Sequence, residues 1–445
     1  MRVLIVSYYF PPAAGGGVQR VLKWCRYLPK NGVEVHVLAP DDPKWIDAGG
    51  GLEVPAGTVV HRTKNLSPTS VRPTDAVAAA RGPVRRVLRK IALQPRRMLV
   101  PDMHVGWSVT AVRRGIDVVR AQGIEAVIST SPPETTHLIA ARIARACDVP
   151  WIADFRDSWL DLPHLRTDRA SVRYKHAVNT RMATRIMSRS AAITTVSEPL
   201  ANDLRNRHPG IPVHVITNGI DMQDCENLPG PPPLAGGRAR EDVCVIAYTG
   251  NFFGRQSPQS FLRALSDMLD RRPELIDRVV VRFVGGLTAA DHAFIDRSAV
   301  LQHVIERIPF MDYRDVLAEQ RAADILLLYV APGPNSQGVY TGKVFEYVAA
   351  ERPVLALVPH DNVCVELLHQ AGLGICVPPD DHASITRMLE TEVDRRLGEG
   401  RIEYRVPAHV LAAISREAQA EQVAHLLRTV VHPTTNEGPG EPSPS

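Results

Sequence analysis

Residues 338–358, GVYTGKVFEYVAAERPVLALV, join a short amphipathic helix to an apolar strand, and the rest of the chain repeats that alternation. Thr341 and Gly342 open the helix; Lys343 and Glu346 leave it at i, i+3, so both side chains project from one exposed side. Val344, Phe345, Val348 and Ala349 supply the buried side. Arg352 and Pro353 break the helix, and residues 354–358 form the continuous apolar run that a fully buried parallel strand requires. A cation and a carboxylate therefore stand just past a glycine-containing loop. Lys343, at the helix start, would meet a phosphate beside free backbone amides, and Glu346, one turn on, would accept hydrogen bonds from a ribose diol. The competing reading of these two residues is a surface ion pair.

Working outward, residues 3–7 read as a buried strand, YYFPPAAGGG as a loop, and residues 18–28 as an amphipathic helix. Strand, glycine-rich loop and helix are the opening of a doubly wound α/β sheet. Further strands are expected at 33–39, 126–129, 151–154, 192–196 and 213–216, with helices between them. At 445 residues the chain exceeds what one core usually serves. LPGPPPLAGGRARED, residues 228–242, has the composition of a linker, and alternation restarts after it at 243–248, 279–284, 303–308, 325–329, 354–358 and 373–377. The expected domains are thus 1–220 and 241–405, joined by 221–240. A single helix at 407–430 would be long enough to cross back to the first domain, and the tail 432–445 is disordered by composition.

Net charge is only +4, too small an excess to imply nucleic acid. The six cysteines form no CxxC pair and no metal-ligand spacing with histidine, so they read as reduced thiols of a cytosolic protein. MRVLIVSYYFPP is a first strand, not a signal peptide, and no run reaches the roughly 18 apolar residues of a membrane span. Any membrane contact would be peripheral. RGPVRRVLRKIALQPRR, residues 81–97, carries seven Arg/Lys and no acid; Val84, Val87, Leu88 and Ile91 share one face, which suits an anionic membrane surface or a basic helix packed on the domain.

Three places carry candidate chemistry besides Lys343 and Glu346. Gly15, Gly16 and Gly17 would let backbone amides approach an anion, although their spacing is not GxGxxG and a tight turn accounts for them equally. DFRDSW delivers Asp154, Arg156 and Asp157 to the carboxyl end of a strand, where open sheets place ligands; these are the catalytic candidates, against the alternative of a structural ion-pair knot. Arg255 and Ser257 precede a helix and would face an anion, and Phe310 follows a strand where it would stack on a base or fill the core.

Taken together, FPPAAGGGVQR (10–20), TVSEPLANDL (195–204), ITNGID (216–221), YTGNFFGRQSP (248–258) and KVFEYVAAERPVLAL (343–357) resemble the family 4 glycosyltransferases, the retaining, two-Rossmann-domain GT-B class. The resemblance runs from Met1 to about residue 430. It implies a nucleotide-sugar donor held by the second domain, and a glycan, lipid-linked or small-molecule acceptor held by the first. By position, Glu346 would hold the donor ribose, Phe310 would flank the base, Arg255 and Lys343 would meet the diphosphate, and Gly16 and Gly17 would face the phosphates and the reacting sugar. No cofactor and no divalent metal are implied, because cations and helix N-termini neutralise the leaving diphosphate. A cytoplasmic site follows, with residues 81–97 available to the inner membrane face. Two departures stand out: the acid usual in the family eight residues before Glu346 is Gly338 here, and the histidine common after the fourth or fifth strand is replaced by SPPE and DFRD. The alternatives are a sugar-nucleotide 2-epimerase, for which His137 and Glu134 are the nearby acid-base groups, and a non-catalytic binding or assembly subunit.

Overall fold

The computed structural model describes residues 1–13, 16–42, 52–67, 99–160, 170–252, 256–309, 311–333, 335–401 and 403–432. The expectations placed on Gly15, the basic stretch 81–97, Arg255, Phe310 and residues 433–445 lie outside them.

Among the described residues two all-parallel sheets are built, each by the alternation read above. The first contains Arg2–Val6 (β1), Glu34–Pro40 (β2), Val59–Thr63 (β3), Ala126–Ser131 (β4), Trp151–Phe155 (β5), Ala192–Thr195 (β6) and Val213–Val215 (β7), in the order β3-β2-β1-β4-β5-β6-β7. The second contains Cys244–Thr249 (β8), Val279–Val284 (β9), Ile305–Ile308 (β10), Ile325–Tyr329 (β11), Val354–Leu357 (β12) and Gly374–Val377 (β13), in the order β10-β9-β8-β11-β12-β13. Helices cover both faces, so successive residues of β1 serve opposite cores: Val3 and Ile5 pack with Val21 and Trp24, while Leu4 and Val6 pack with Val118 and Ile143. Strand order reverses between β1 and β4 and again between β8 and β11, and at such reversals the loops beyond the carboxyl ends diverge and leave a crevice.

Three local expectations are corrected. β3, VVHRT, lies in a stretch with no regular pattern, because it is an edge strand with only two buried residues. Residues 299–304 of the expected region before β10 are helical, capped by Ser298, whose Oγ accepts from the Leu301 amide. The single helix expected at 407–430 is two, Ala408–Ala413 and Arg416–Val431, and the break has a purpose. Ile220, on the segment leaving the first domain, forms a parallel bridge with Ser415: its N–H donates to Ile414 O at 3.0 Å, and the Arg416 N–H donates to Ile220 O at 3.0 Å. An unbroken helix would have spent those groups internally.

The outgoing and returning segments therefore lie side by side. Arg416–Val431 packs on Gly16–Tyr27 through Ala420, Val423, Ala424 and Leu427. Asp221 anchors the outgoing segment to the same helix, accepting from Lys23 Nζ at 2.8 Å, Arg26 Nη1 at 3.0 Å and Tyr27 Oη at 2.7 Å. Gly219 permits the close crossing, since a Cβ there would stand 2.0 Å from Ile414 O and 2.2 Å from Gln419 Nε2. Gly219→Ala is expected to cost about 1–3 kcal/mol through overpacking against backbone, read as a lowered melting midpoint; an unchanged midpoint would show the crossing to be loose.

Candidate active site

The first domain contributes the carboxyl ends of β1, β4 and β5 and the start of Gly16–Tyr27. Arg20, on that helix, is 1% exposed and Asp154 is wholly buried. Arg20 Nε and Nη2 donate to the two Asp154 oxygens at 3.1 and 2.8 Å, Nη2 donates also to Ile216 O at 2.9 Å, and Nη1 donates to Thr217 O at 2.8 Å. Asp154 also accepts from Thr130 Oγ1 at 2.7 Å and Thr194 Oγ1 at 2.8 Å. Burial pushes the Asp154 carboxyl up, but the Arg20 guanidinium and the two hydroxyls outweigh it and hold the group below the usual carboxylate range. The catalytic role expected of Asp154 is thus corrected. Both its oxygens are spent on fastening β4, β5, β6 and the first helix to one another, and water does not reach it.

Arg156 is also committed to the backbone. Its Nε donates to Ser131 O, Nη2 to Pro132 O and Nη1 to Gly17 O, at 2.9, 3.0 and 2.9 Å, and its guanidinium lies 5.9 Å from the Tyr9 ring centroid. It clamps the SPPE turn to the first turn of the glycine helix. A Cβ on Gly17 would stand 3.1 Å from Tyr9 Cδ2 and 3.2 Å from Arg156 Nη1, whereas one on Gly16 would meet nothing within 4 Å. A side chain at Gly17 would therefore press on Tyr9 and Arg156, and one at Gly16 would not. Asp157 is the one member of the trio whose side chain is open to water, yet protein hems it in: burial pushes its carboxyl above the ordinary value and Arg156 pulls against that. Glu134, half-buried nearby, is pushed up to about 8 by burial and by Asp102. His137 is wholly buried, bonded through Nδ1 to Ser129 Oγ at 2.7 Å, and burial lowers it to about 3. A neutral core histidine cannot supply the proton traffic that an epimerase would need.

The second domain contributes the carboxyl end of β8 and the helix Gly342–Ala350. Lys343 and Glu346 do share one side, but that side is half-buried, not open to bulk solvent, and no ion pair joins them among the described residues. Lys343 Nζ lies 4.5 Å above the Tyr248 ring and donates to Tyr248 Oη at 3.0 Å. Gly250, at φ +124°, leaves it room, since a Cβ there would come within 3.0 Å of Lys343 Nζ. Burial lowers the Lys343 ammonium to about 8, against the pull of Glu346. Glu346 Oε2 accepts from Gln320 Nε2 at 2.8 Å, and Gln320 also donates to Thr249 Oγ1 at 2.9 Å, which fixes the carboxylate relative to β8. Burial raises Glu346; Gln320, Lys343, Arg416 and Tyr313 pull it back.

Gly338, standing where the family has an acid, is a domain contact. Its carbonyl accepts from Ser197 Oγ at 2.8 Å, and a Cβ there would lie 3.3 Å from Pro199 Cβ. Sequence reading missed Arg20, Gln320 and Arg416, because a buried polar partner carries no periodic signal. Among the described residues, no three or more His, Cys, Asp or Glu side chains are arranged to hold a metal ion, and no helix is long and apolar enough to cross a membrane.

A family model described as a glycosyl transferase 4-like domain matches residues 15–219, the span that holds the glycine helix, Arg20, Asp154 and Arg156. Residues 15–219 are thus similar to glycosyl transferase 4-like domains. Within the whole chain, 78 residues are 36% identical to a D-inositol 3-phosphate glycosyltransferase of Kribbella flavida, a stretch amounting to 17% of this chain and 18% of that protein. Among solved structures, sucrose-phosphate synthase from Thermosynechococcus elongatus is similar over 97% of this chain and 99% of its own, with a TM-score of 0.62 at 15% identity. HepE from Anabaena, in complex with UDP, is similar over 96% and 100%, with a TM-score of 0.62 at 14% identity. An α,α-trehalose-phosphate synthase (UDP-forming) from Burkholderia xenovorans, in complex with glucose-6-phosphate, is similar over 96% and 100%, with a TM-score of 0.60 at 14% identity. The two sheets with their helices together have the GT-B fold, two Rossmann-like domains facing a cleft.

Proposed function

We propose that the chain is a retaining, metal-independent glycosyltransferase that moves a hexosyl unit from a nucleoside-diphosphate sugar to a hydroxyl of a glycan, lipid-linked or small-molecule acceptor. The observation that carries this reading is the pair Lys343 and Glu346, presented to the cleft from the first turns of one helix and held apart by Tyr248 and Gln320. A cation beside a helix N-terminus suits a diphosphate, and a fixed carboxylate one turn later suits a ribose diol. UDP in HepE and the UDP-forming reaction of the trehalose-phosphate synthase, proteins of the same fold, support a UDP-linked donor as the first to test.

In this reading the acceptor oxygen attacks the anomeric carbon as the bond from that carbon to the phosphate oxygen breaks on the same face. The acceptor proton passes to the departing phosphate oxygen. No enzyme nucleophile is needed, which agrees with Asp154 having no free oxygen. The chain's part is to hold the diphosphate at Lys343 and the ribose at Glu346. Gly17, set by Arg156, lets the first helix approach the reacting sugar, and Asp157 meets the acceptor.

Donor hydrolysis and transfer across UDP-, GDP- and dTDP-sugars, with wild type, Glu346→Ala and Lys343→Ala, tests the assignment. Turnover indifferent to both changes would end it, and nucleotide binding with no turnover on any acceptor would favour a binding subunit. Acidity adds a second check. Lys343 is the cation only below about 8, so UDP affinity should be full at pH 7 and fall as pH rises through that value. Lys343→Arg should remove the fall; a flat wild-type profile from pH 7 to 9 contradicts the role of Lys343.

A further inference from the structure

We infer that Arg416 is a further donor-binding residue, a guanidinium that the returning segment delivers to the nucleoside diphosphate beside Glu346. The inference rests on the proposed function and adds a contact from the C-terminal helix, which packs on the opposite domain.

Arg416 is 8% exposed and opens the helix Arg416–Val431. Its backbone is pinned, since its N–H donates to Ile220 O at 3.0 Å, so the side chain cannot withdraw while the crossing holds. Ile220 and Ile414, at the crossing, share one core cluster with Val344, Phe345 and Val348 of the helix that carries Glu346, and Arg20, Tyr313, Glu346 and Asp221 are the charged or ionisable groups within electrostatic reach of the guanidinium. Among the described residues its single hydrogen bond runs from Nη1 to Gln419 Oε1 at 3.1 Å, and no ion pair engages it.

Arg20 shows what a purely structural arginine does in the same neighbourhood: it spends its donors on Asp154 and on two backbone carbonyls. Arg416 spends one. The nearby carboxylates do not take up the rest, because Asp221 already receives Lys23, Arg26 and Tyr27, and Glu346 is held by Gln320. A guanidinium drawn largely out of water, next to another cation, with most of its donors unspent, is costly unless an anion arrives. Burial and Arg20 push it down to about 10, in keeping with that cost.

The ligand that suits the place offers hydroxyls to Glu346 and anionic oxygens to Arg416, which describes the ribose and diphosphate of one nucleotide. The partial positive charge of the helix N-terminus acts in the same sense. The donor would then be gripped from both domains, with the crossing at Ile220 and Ser415 as the fixed point.

UDP and uridine are titrated by calorimetry into the full-length wild type, Arg416→Lys and Arg416→Gln, with melting temperatures recorded without nucleotide. Arg416→Gln should weaken UDP about 10- to 100-fold while leaving uridine nearly unchanged, and Arg416→Lys should recover part of the loss. Unaltered UDP affinity, or equal weakening of UDP and uridine, overturns the inference. Should Arg416→Gln not fold, hydrogen exchange of the wild type decides: UDP should slow the amides of residues 416–420, and unchanged exchange there overturns it. A wild type that binds no UDP, GDP or dTDP sinks the proposed function itself; binding lost in Glu346→Ala but untouched in Arg416→Gln sinks this inference alone.

Discussion

Glu346→Ala lowers transfer from the donor by about 100-fold or more, with most of the loss in donor affinity. Each charge-assisted hydrogen bond from a ribose hydroxyl to a fixed carboxylate contributes roughly 1.5–3 kcal/mol, and the substitution removes two of them. Gln320, freed of its partner, keeps Thr249 Oγ1 at 2.9 Å, so the frame around the lost carboxylate stays in place. Glu346→Gln should fall between the two, because an amide oxygen still accepts but carries no charge. Donor kcat/KM and UDP affinity check this directly, and values within twofold of the wild type would remove Glu346 from the site. Protonation makes the same substitution reversibly. Burial raises the Glu346 carboxyl, so the grip weakens as pH falls through a value above the ordinary carboxylate range, while Lys343 sets the alkaline limb at about 8. A bell-shaped dependence of donor affinity on pH follows.

Asp154→Ala, by contrast, is expected to act on stability. It leaves the Arg20 guanidinium, 1% exposed, without its counter-ion and strips Thr130 and Thr194 of their acceptor. Removing one partner of a buried, fully bonded pair costs about 3–5 kcal/mol. Chemical denaturation should show the loss, and UDP affinity of the folded protein should stay within about threefold, since Lys343 and Glu346 stand on the other domain and Asp154 touches no proposed donor residue. A stable Asp154→Ala protein with lost turnover would reverse the assignment and return Asp154 to chemistry. Asp154→Leu combined with Arg20→Met tests the same point from the other side: replacing both partners should cost less than either single change, because no charge is then left buried alone.

These two acids were hard to tell apart in sequence. Asp154 and Glu346 both follow apolar runs, both stand near an arginine or lysine, and both lie where open α/β sheets keep their ligands. The difference lies in partners brought from far along the chain: Arg20, 134 residues away, closes Asp154 off, while Gln320, 26 residues away, holds one oxygen of Glu346, which stays half-buried. Neither bland alternative holds. The ion-pair knot suspected within DFRD does not form: Arg156 bonds backbone carbonyls, and Asp154 pairs with Arg20. The surface ion pair suspected at Lys343 and Glu346 does not form, because Tyr248 takes the ammonium and Gln320 the carboxylate.

By itself the sequence determined the alternation of apolar strands with amphipathic helices, the restart of that alternation after a Pro/Gly-rich stretch, and the pairing of Lys343 with Glu346 on one helical side. All of these follow from spacing within a few residues, which backbone geometry converts directly into faces. Only the tertiary structure decided which polar groups are spent on holding the domains, that the C-terminal helix breaks at Ser415 to meet Ile220, and that the crossing packs against the helix that carries Glu346. Those outcomes depend on contacts between residues tens to hundreds of positions apart, and a buried polar side chain leaves no periodic mark from which its distant partner could be read.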